Sequence, residues 1–429
     1  NEKKKRHKTN KKIYNLTCQN IKPILDRTHT LIVISGVHVP GKYLSAKPAS
    51  LYEVIKLIED LPCRKILTGP AATRFGSRIE GGKFAEKINL DIFNRIIPDF
   101  VHDYDEIAKV SIKGTKLIKK IPWLVVAEIE TARGCNKKSP CSFCTEPLKN
   151  KLEFRKVKDI VREVKALNKQ GVKHFRLGKQ SDFFLWDKHR MEVMLKTIRE
   201  ECNIKTLHID NADPNNVTSE KTKLIVKYCT EGNVAALGIE SFDKEVIKSN
   251  NLNTSPKSAL RAIKTINKFG REYGKNGMPK FLPGINILFG LEEESKDTHK
   301  ENMKYLKKIL ENDLLLRRIN IRQVSIYPGT ILDKRCGNKY IRKNKKYYWK
   351  WRHEIREKID HPMLKKLVPK SHVLKEVRTE VHDGNNTFGR QIGTYPLVVG
   401  IKKKLPLKKY LDVKITDHML RSVTAKIKK

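Results

Sequence analysis

The chain has 429 residues and a formal net charge of +43, with 90 Lys and Arg against 47 Asp and Glu. This length predicts about two to four domains, and the apolar fraction of 39% is sufficient for packed cores. No apolar run suits a transmembrane helix or a secretory signal. The charge favours a polyanionic partner, most simply nucleic acid, although solvated surface lysines are the alternative.

The first 116 residues are predicted to form a basic tail followed by a Rossmann-like α/β domain. A buried-strand pattern over 30–35 precedes a helical pattern over 50–61, for which Ser50 is a plausible N-cap, and a second strand pattern begins at Lys65. Strand, helix and strand within about forty residues indicate a βαβ unit. His38 in the loop after the first strand is a candidate ligand, although a lone loop histidine is more often a surface residue.

From residue 117 to residue 330, strand patterns alternate with amphipathic helical patterns such as 157–169 and 258–269. The strand patterns cover 123–129, 173–177, 205–210, 233–239, 283–289 and 319–327. Six strand–helix repeats favour a parallel barrel or part of one. In such folds the functional residues lie at the C-terminal ends of the strands.

Three of the eight cysteines, Cys135, Cys141 and Cys144, follow the first of these strands with the spacing C-x5-C-x2-C. Three thiolates on one loop can hold three corners of an iron–sulfur cluster and leave the fourth iron open to another ligand. The alternatives are a zinc site, for which residues 103–173 provide no further Cys or His, and three ordinary cysteines. The scattered remaining cysteines indicate reduced thiols and a cytoplasmic protein rather than a disulfide framework.

The strand, the segment Thr131 to Cys135 and the Cys141 to Cys144 segment together resemble the radical S-adenosylmethionine superfamily. The commonest spacing in that superfamily is C-x3-C-x2-C, so two extra residues lengthen the first interval here. The resemblance implies a [4Fe-4S] cluster on the three cysteines, with S-adenosylmethionine on the open iron. It also implies an electron donor such as ferredoxin, because one electron cleaves the sulfonium to methionine and a 5′-deoxyadenosyl radical.

The later strand ends resemble the cofactor-contacting segments of the same superfamily, in the same order. Residues 177–180 resemble the family segment that binds the methionine amino group, and 238–241 resemble the one that contacts the ribose and carboxylate. Residues 283–291 resemble the segment that packs on adenine, and 327–330 resemble the end of the sixth strand. The resemblance implies cofactor contacts by Gly178, Lys179, Gln180, Asp210, Asn211, Glu240, Ser241, Asn286 and Tyr327.

Residues 331–370 break the alternation and form a basic aromatic connector. Within it, the stretch 342–352 interleaves Lys and Arg with Tyr and Trp. This mixture suits phosphate contacts and base stacking on RNA, for which Lys345, Lys346 and Trp349 are the candidates. The alternative is an amphipathic helix that packs its aromatic residues on the barrel.

Residues 371–429 show short strand patterns separated by turn signals, which are typical of a small all-β barrel. This segment resembles the TRAM domain, a β-barrel that binds RNA in tRNA- and rRNA-modifying enzymes. The resemblance implies RNA contacts by Phe388, Arg390, Tyr395 and Arg421. For Phe388 and Tyr395 the alternative is a place in the core of the small barrel.

The domain order resembles that of methylthiotransferases and cobalamin-dependent radical enzymes, and the whole chain resembles an uncharacterised archaeal group of radical enzymes. Methylthiotransferases hold a second cluster on three N-terminal cysteines, whereas this chain has only Cys18 and Cys63 in that region. A single cluster is therefore predicted, and a cobalamin site stays open.

The sequence thus predicts an α/β radical enzyme that modifies tRNA or rRNA, by methylation or related chemistry on a base, with RNA or the ribosome as its partner and no membrane association. One alternative is an RNA- or ribosome-binding protein with a structural or vestigial cluster. Another is a radical enzyme that acts on a protein or a small molecule.

Overall fold

The computed structural model describes residues 22–35, 51–72, 89–98, 103–121 and 124–428. The basic tail, Cys18, His38 and Ser50 lie outside the described residues. The N-terminal part contains α1 (Lys22–Leu25), β1 (Thr30–Ile34), α2 (Leu51–Ile58), β2 (Arg64–Thr68), a 3₁₀ turn (Pro70–Ala72) and β3 (Arg95–Ile96). The three strands form a parallel sheet in the order β1-β2-β3.

Helix α2 packs on this sheet through one apolar face. Leu51, Ile55 and Ile58 are buried and recur at helical spacing, in one cluster with Val33 of β1 and Leu67 of β2. The strand, helix and parallel strand form the predicted βαβ unit.

The next 220 or so residues hold mostly parallel strands surrounded by helices. The strands are β4 (Val126–Glu130), β5 (Ala132–Arg133), β6 (Glu153–Phe154), β7 (His174–Gly178), β8 (Thr206–Ile209), β9 (Asn211–Ala212), β10 (Asn233–Glu240), β11 (Phe281–Phe289) and β12 (Arg318–Gln323). The helices are α3 (Tyr104–Gly114), α4 (Glu146–Lys149), α5 (Val157–Lys169), α6 (Lys188–Glu201), α7 (Ser219–Tyr228), α8 (Lys244–Ser249), α9 (Pro256–Gly270) and α10 (Lys296–Glu311), with 3₁₀ turns at Thr115–Lys120 and Phe183–Leu185.

Seven of these strands form a partial barrel with six strand positions, because β8 and β9 share one position, and β5 and β6 form a separate antiparallel pair. Strands β4-β7-β8 and strands β9-β10-β11-β12 form two parallel sheets. They are continuous because β9 directly follows β8 and the Ala236 amide donates to the Asp210 carbonyl over 3.1 Å. All six predicted strand patterns coincide with strands to within a few residues, so the predicted partial (β/α)6 barrel is confirmed.

Alternation along the strands separates an apolar outer face from a polar inner face. Phe175 and Leu177 of β7 are fully buried in the main core, against the surrounding helices. Arg176 between them pairs instead with Glu128 of the neighbouring β4, over 2.7 Å. Because successive side chains of a strand point to opposite faces, such charged residues line the inside of the barrel.

The connector is helical and packs on the barrel. It contains α11 (Ile331–Arg335), α12 (Lys339–Ile355), a π-helical turn (Arg356–Asp360) and α13 (His361–Leu367). Tyr348 and Trp351 are buried, and both rings contact the ring of Phe289 at the end of β11. The predicted alternative of an amphipathic helix is therefore correct for this face of α12.

The C-terminal segment is a closed five-stranded barrel. Its strands are β13 (Val373–Asp383), β14 (Asn386–Arg390), β15 (Val398–Ile401), β16 (Tyr410–His418) and β17 (Ser422–Ile427), in the order β13-β14-β15-β17-β16. Val377, Val399 and Val413 are fully buried inside it. The predicted small all-β barrel is confirmed. In the part of the chain that the structure describes, no helix has the length and apolar character needed to span a membrane.

Candidate active site

The cysteine loop connects the two short strands β5 and β6 at the C-terminal end of β4. Gly134, immediately before Cys135, has a φ of 80°. A Cβ at this position would lie 2.2 Å from the carbonyl oxygen of Lys151, so the close approach of the two chain segments requires glycine. The Gly134 amide also donates to Glu146 Oε1 over 2.9 Å. These contacts fix the start of the loop.

The end of the loop is held by residues that follow α8. The Ser142 amide donates to the Asn250 carbonyl over 2.9 Å, and the Ser142 hydroxyl donates to Asn250 Oδ1 over 2.6 Å. The Leu332 amide donates to the Ser142 carbonyl over 2.8 Å. Phe143 packs on an apolar cluster that includes Val246 of α8. The loop therefore bridges the first and fourth strand–helix units of the barrel.

The three thiols lie within electrostatic reach of one another in a mostly buried setting. Burial raises the pKa of Cys144 to about 12, and the neighbouring Cys141 and Cys135 add to this increase. Burial also raises the pKa of Cys141. The Lys137 ammonium opposes this increase, and the Glu240 carboxylate adds to it. A bound metal cluster reverses this balance, because a coordinating thiol loses its proton outright.

The three thiols suit a metal cluster better than a single metal ion. Within the described ranges, no three His, Cys, Asp or Glu side chains could hold one metal ion. An iron–sulfur cube needs a wider arrangement, because each thiolate binds a different iron. Three partly buried thiols on one loop fit that need.

The predicted contacts after β7 and β8 form one hydrogen-bonded group beside the cysteine loop. Gln180 is buried, and its Oε1 accepts a hydrogen bond from the Thr131 hydroxyl over 3.1 Å. Asn211 Nδ2 donates to the Gln180 carbonyl over 3.1 Å. A Cβ on Gly178 would lie 2.6 Å from Glu128 Oε1, and Lys179 takes a left-handed φ of 62°. The chain thus turns sharply over the barrel mouth here.

Glu240 ends β10 and faces the thiols. Its backbone takes a left-handed φ of 63°. Burial raises the pKa of its carboxyl group to about 7, and the guanidinium of Arg322 partly opposes this increase. Ser241 contacts a different part of the barrel: its hydroxyl lies 3.5 Å from Asn302 Oδ1 in α10 and accepts from the Asp243 amide. Glu240 therefore lies at the site, whereas the Ser241 side chain is hydrogen-bonded to the backbone and to α10 behind it.

Asn286 and Tyr327 lie on the far side of the opening from β7. Asn320 Nδ2 of β12 donates to Asn286 Oδ1 over 3.0 Å, and Arg322 Nε donates to Asn320 Oδ1 over 3.1 Å. Tyr327 is half-buried in the turn after β12, where its carbonyl accepts from the Thr330 hydroxyl over 2.8 Å. These polar groups complete the rim of the barrel.

Sequence reasoning missed the charged residues inside the barrel. Arg176 pairs with Glu128 and also lies 3.8 Å from Asp210, a predicted cofactor contact. On β12, Arg318 Nη2 donates to Asn320 Oδ1 over 3.3 Å. The available signal was a charged residue at the centre of an otherwise apolar strand pattern, such as Arg176 between Phe175 and Leu177.

Tyr395 does not lie on an exposed RNA-binding surface, contrary to the prediction, nor in the core of the small barrel. A left-handed φ of 51° turns its loop toward the large barrel. There its carbonyl accepts from Arg317 Nη2, the Arg318 guanidinium lies 4.5 Å from its ring centroid, and its hydroxyl lies 3.4 Å from Asp210 Oδ1. The same loop lines a small cavity with Gly232 and Met278, which precede β10 and β11, so it closes the N-terminal end of the barrel.

The other candidate RNA contacts lie on α12 and on the C-terminal barrel. On α12, Trp349 is 66% exposed, and Lys345 and Lys346 are exposed. Arg390 forms an ion pair with Glu380 over 2.8 Å, and Phe388 is half-buried over Gly400. Arg421 is exposed and lies near Arg356 and Arg318.

Comparison with known proteins places this site in a family. The model of the radical SAM superfamily matches residues 129–306, which include the three cysteines. An uncharacterised protein of Methanocaldococcus jannaschii is 40% identical over 94% of this chain and 83% of its own length. The ribosomal protein uS12 methylthiotransferase RimO of Clostridioides difficile is 23% identical over 43% of this chain and 40% of its own length.

Solved structures show weaker likenesses. The radical S-adenosylmethionine methyltransferase TsrM from Kitasatospora setae, with cobalamin and a [4Fe-4S] cluster bound, aligns with 51% of this chain and 40% of that chain, at 15% identity and a TM-score of 0.40. Coproporphyrinogen III oxidase HemN from Escherichia coli aligns with 65% of this chain and 69% of that chain, at 12% identity and a TM-score of 0.39. Such scores carry no information about the reaction.

Proposed function

We propose that this chain, which belongs to the radical S-adenosylmethionine superfamily, is an enzyme that modifies a base of tRNA or rRNA. The observation that carries the proposal is the convergence of three loop thiols with the half-buried Glu240 at the C-terminal ends of the barrel strands. Cys135, Cys141 and Cys144 would hold the [4Fe-4S] cluster that the family implies. When bound, the cluster and S-adenosylmethionine supply an organic radical that abstracts hydrogen from the substrate.

The residues of the chain bind, orient and shield the reactants. The turn that contains Lys179 and Gln180 would hold the methionine amino group, and Glu240 would offer a carboxyl group to the cofactor. Glu240 can accept or donate a hydrogen bond near neutral pH, because burial raises its pKa to about 7. The Tyr395 loop closes the opposite end of the barrel, which keeps water from entering behind the site.

Three observations support RNA as the substrate. The net charge of +43 favours a polyanion. Helix α12 buries Tyr348 and Trp351 yet exposes Trp349 beside Lys345 and Lys346, which combines a stacking surface with phosphate contacts. The closed C-terminal barrel, which we assign as a TRAM domain, provides a second surface. A target base must be flipped out or lie in a loop to enter the barrel mouth.

A second candidate substrate is a ribosomal protein. It is favoured by the similarity to RimO, whose name records ribosomal protein uS12 as its target, over 43% of this chain. A protein substrate would use the same radical site, and the basic surfaces would then bind ribosomal RNA around that protein.

The radical site is tested on anaerobically reconstituted protein. We expect about four irons per chain, the broad visible absorbance of a four-iron cluster, and cleavage of S-adenosylmethionine to 5′-deoxyadenosine on reduction. Replacing Cys135, Cys141 and Cys144 by Ala should abolish all three signals, whereas Cys336→Ala, which lies outside the loop, should retain them. Wild-type protein without the cluster would contradict the proposal. The absorbance of the protein as purified also reports whether cobalamin is present.

The substrate is tested by mass spectrometry of nucleosides from tRNA and rRNA, in cells with and without the gene. We expect one modified nucleoside to disappear in the deletion strain and to return with the wild-type gene. A gene with the three cysteine substitutions should fail to restore it. Unchanged nucleosides together with an altered mass of one ribosomal protein would favour the second candidate. Restoration by the triple variant would favour an RNA-binding role without radical chemistry.

A further inference from the structure

The longer interval between the first two cysteines contains a lysine that contacts a predicted cluster ligand. Lys137 Nζ lies 3.1 Å from Cys141 Sγ and donates a second hydrogen bond to the Asn251 carbonyl over 2.6 Å. Its side chain is half-buried, whereas the adjacent Lys138 is exposed. One ammonium group thus joins the cysteine loop to the end of α8.

The position of this ammonium is set from both sides. Asn251 takes a left-handed φ of 50° after α8, and its Nδ2 donates back to the Pro140 carbonyl over 3.4 Å. The neighbouring Asn250 accepts two hydrogen bonds from Ser142, one residue after Cys141. The lysine therefore lies between two backbone segments that are themselves hydrogen-bonded to each other. Such a held donor keeps its geometry when a charge develops nearby.

We propose that Lys137 is a positioning residue that donates a hydrogen bond to the Cys141 thiolate in the loaded enzyme and raises the reduction potential of the cluster. The inference rests on the proposed function, because it takes Cys141 to be a cluster ligand. Reduction adds one electron, delivered by an external low-potential reductant, and makes the cluster more negative. Hydrogen bonds to ligand sulfurs and nearby positive charge stabilise that state and so raise the potential.

This role also accounts for the departure from the common cysteine spacing. The five residues between Cys135 and Cys141 let the chain extend to Asn251 and return with Lys137 facing the sulfur. The competing explanation is that Lys137 only anchors the loop through the Asn251 carbonyl. The two explanations differ in one observable, because an anchor affects cluster loading and thermal stability, whereas a donor to sulfur also shifts the potential of a loaded cluster.

The experiment is a potentiometric titration of the reconstituted cluster, followed by electron paramagnetic resonance, in the full chain. For Lys137→Met we expect at least a tenfold decrease in the equilibrium constant for reduction, which equals about 59 mV for one electron. Lys138→Met removes the same charge from the same loop without the sulfur contact and should keep the wild-type potential. Lys137→Arg, which keeps the charge and the donors, should restore most of the shift.

Equal potentials for Lys137→Met and Lys138→Met, in protein loaded with equal iron, would overturn the inference and leave the proposed function intact. Wild-type protein without a four-iron signal would overturn both. If Lys137→Met loses iron, Lys137→Gln keeps a neutral donor in place and is titrated instead. A wild-type potential for Lys137→Gln would then overturn the role of the charge.

Discussion

The hydroxyl of Tyr395 lies 3.4 Å from Asp210 Oδ1 and thereby connects the C-terminal barrel to a strand end of the radical barrel. Burial raises the pKa of Asp210, and Arg176 and the Tyr395 hydroxyl partly oppose this increase. The backbone next to Tyr395 takes part as well, because the Thr394 amide donates to His208 Nδ1 over 2.9 Å. The domain that we assign to RNA binding therefore contacts a side chain of the candidate site.

Removing the Tyr395 ring should loosen this junction. We expect Tyr395→Ala to lower the free energy of unfolding by about 3 kcal/mol through lost packing against Arg318, and Tyr395→Phe to lower it by about 1 kcal/mol through the lost hydrogen bond. Denaturant titration measures both values. Tyr410, which is 47% exposed on the same small barrel, provides the control variant Tyr410→Ala. An equal loss in the Tyr395 and Tyr410 alanine variants would contradict the junction.

Gly134 should be intolerant of any side chain. Gly134→Ala places a Cβ 2.2 Å from a backbone oxygen at a φ of 80°, whereas Gly329→Ala has nearly the same φ, 81°, and no atom within 4 Å of the added Cβ. We expect Gly329→Ala to cost about 1 kcal/mol of stability from backbone strain alone. Gly134→Ala should cost more and should lose most of its iron, because the cysteine loop must shift. Iron analysis and thermal unfolding test the pair, and equal iron contents would show that the loop tolerates the shift.

One buried acid, Glu294, should make a contribution to stability that falls with rising pH. Burial raises the pKa of Glu294 from its ordinary value of 4.5 to about 8, although the Gly290 amide and Asn344 donate to it. The folded state therefore holds a proton that the unfolded state has released between about pH 4.5 and 8. The contribution of Glu294 to the free energy of unfolding therefore decreases as pH rises through this window, by a few kcal/mol at most, since each pKa unit corresponds to about 1.4 kcal/mol.

Glu294→Gln mimics the protonated acid and should remove this contribution to the pH dependence while retaining stability at pH 8. Glu311→Gln, an exposed position on α10, should leave the dependence unchanged. Denaturant titrations at several pH values between 5 and about 8.5 measure the slope. A wild-type slope in Glu294→Gln would show that other groups control it.

The exposed face of α12 should contribute to RNA affinity. We expect Lys345→Gln with Lys346→Gln to weaken binding of single-stranded RNA and to reduce the slope of log affinity against log salt by about 1.4, or about 0.7 for each lost phosphate contact. Trp349→Ala should weaken binding by about 1–3 kcal/mol with little change in the salt slope, because it removes a stacking surface.

The control for this face is Lys307→Gln with Lys308→Gln, two adjacent exposed lysines on α10. Because this pair changes the net charge equally, it reports the general electrostatic attraction. Fluorescence anisotropy at several salt concentrations measures the RNA affinity of both double variants. Identical slopes of log affinity against log salt for the two double variants would place the RNA surface elsewhere.

Periodicity predicted the strands well because burial acts locally along the chain. The pattern of Phe175, Leu177 and their neighbours requires a strand covered by helices, whatever the rest of the chain does. The same reasoning left α12 ambiguous, since its aromatic residues suit both core and surface. Only the position of Phe289 beside Tyr348 and Trp351 determined which rings are buried.

The sequence by itself determined the cysteine triplet, the strand–helix alternation and the closed C-terminal barrel, because spacing and hydrophobic periodicity are local properties. The tertiary structure alone decided that Lys137 faces Cys141, that Tyr395 enters the large barrel and that Trp349 is exposed. Each of these depends on which distant segment lies opposite, such as Asn251 for Lys137 and Asp210 for Tyr395. Contacts between residues more than a hundred positions apart leave no periodic trace along the chain, so folding must bring them together before their chemistry is visible.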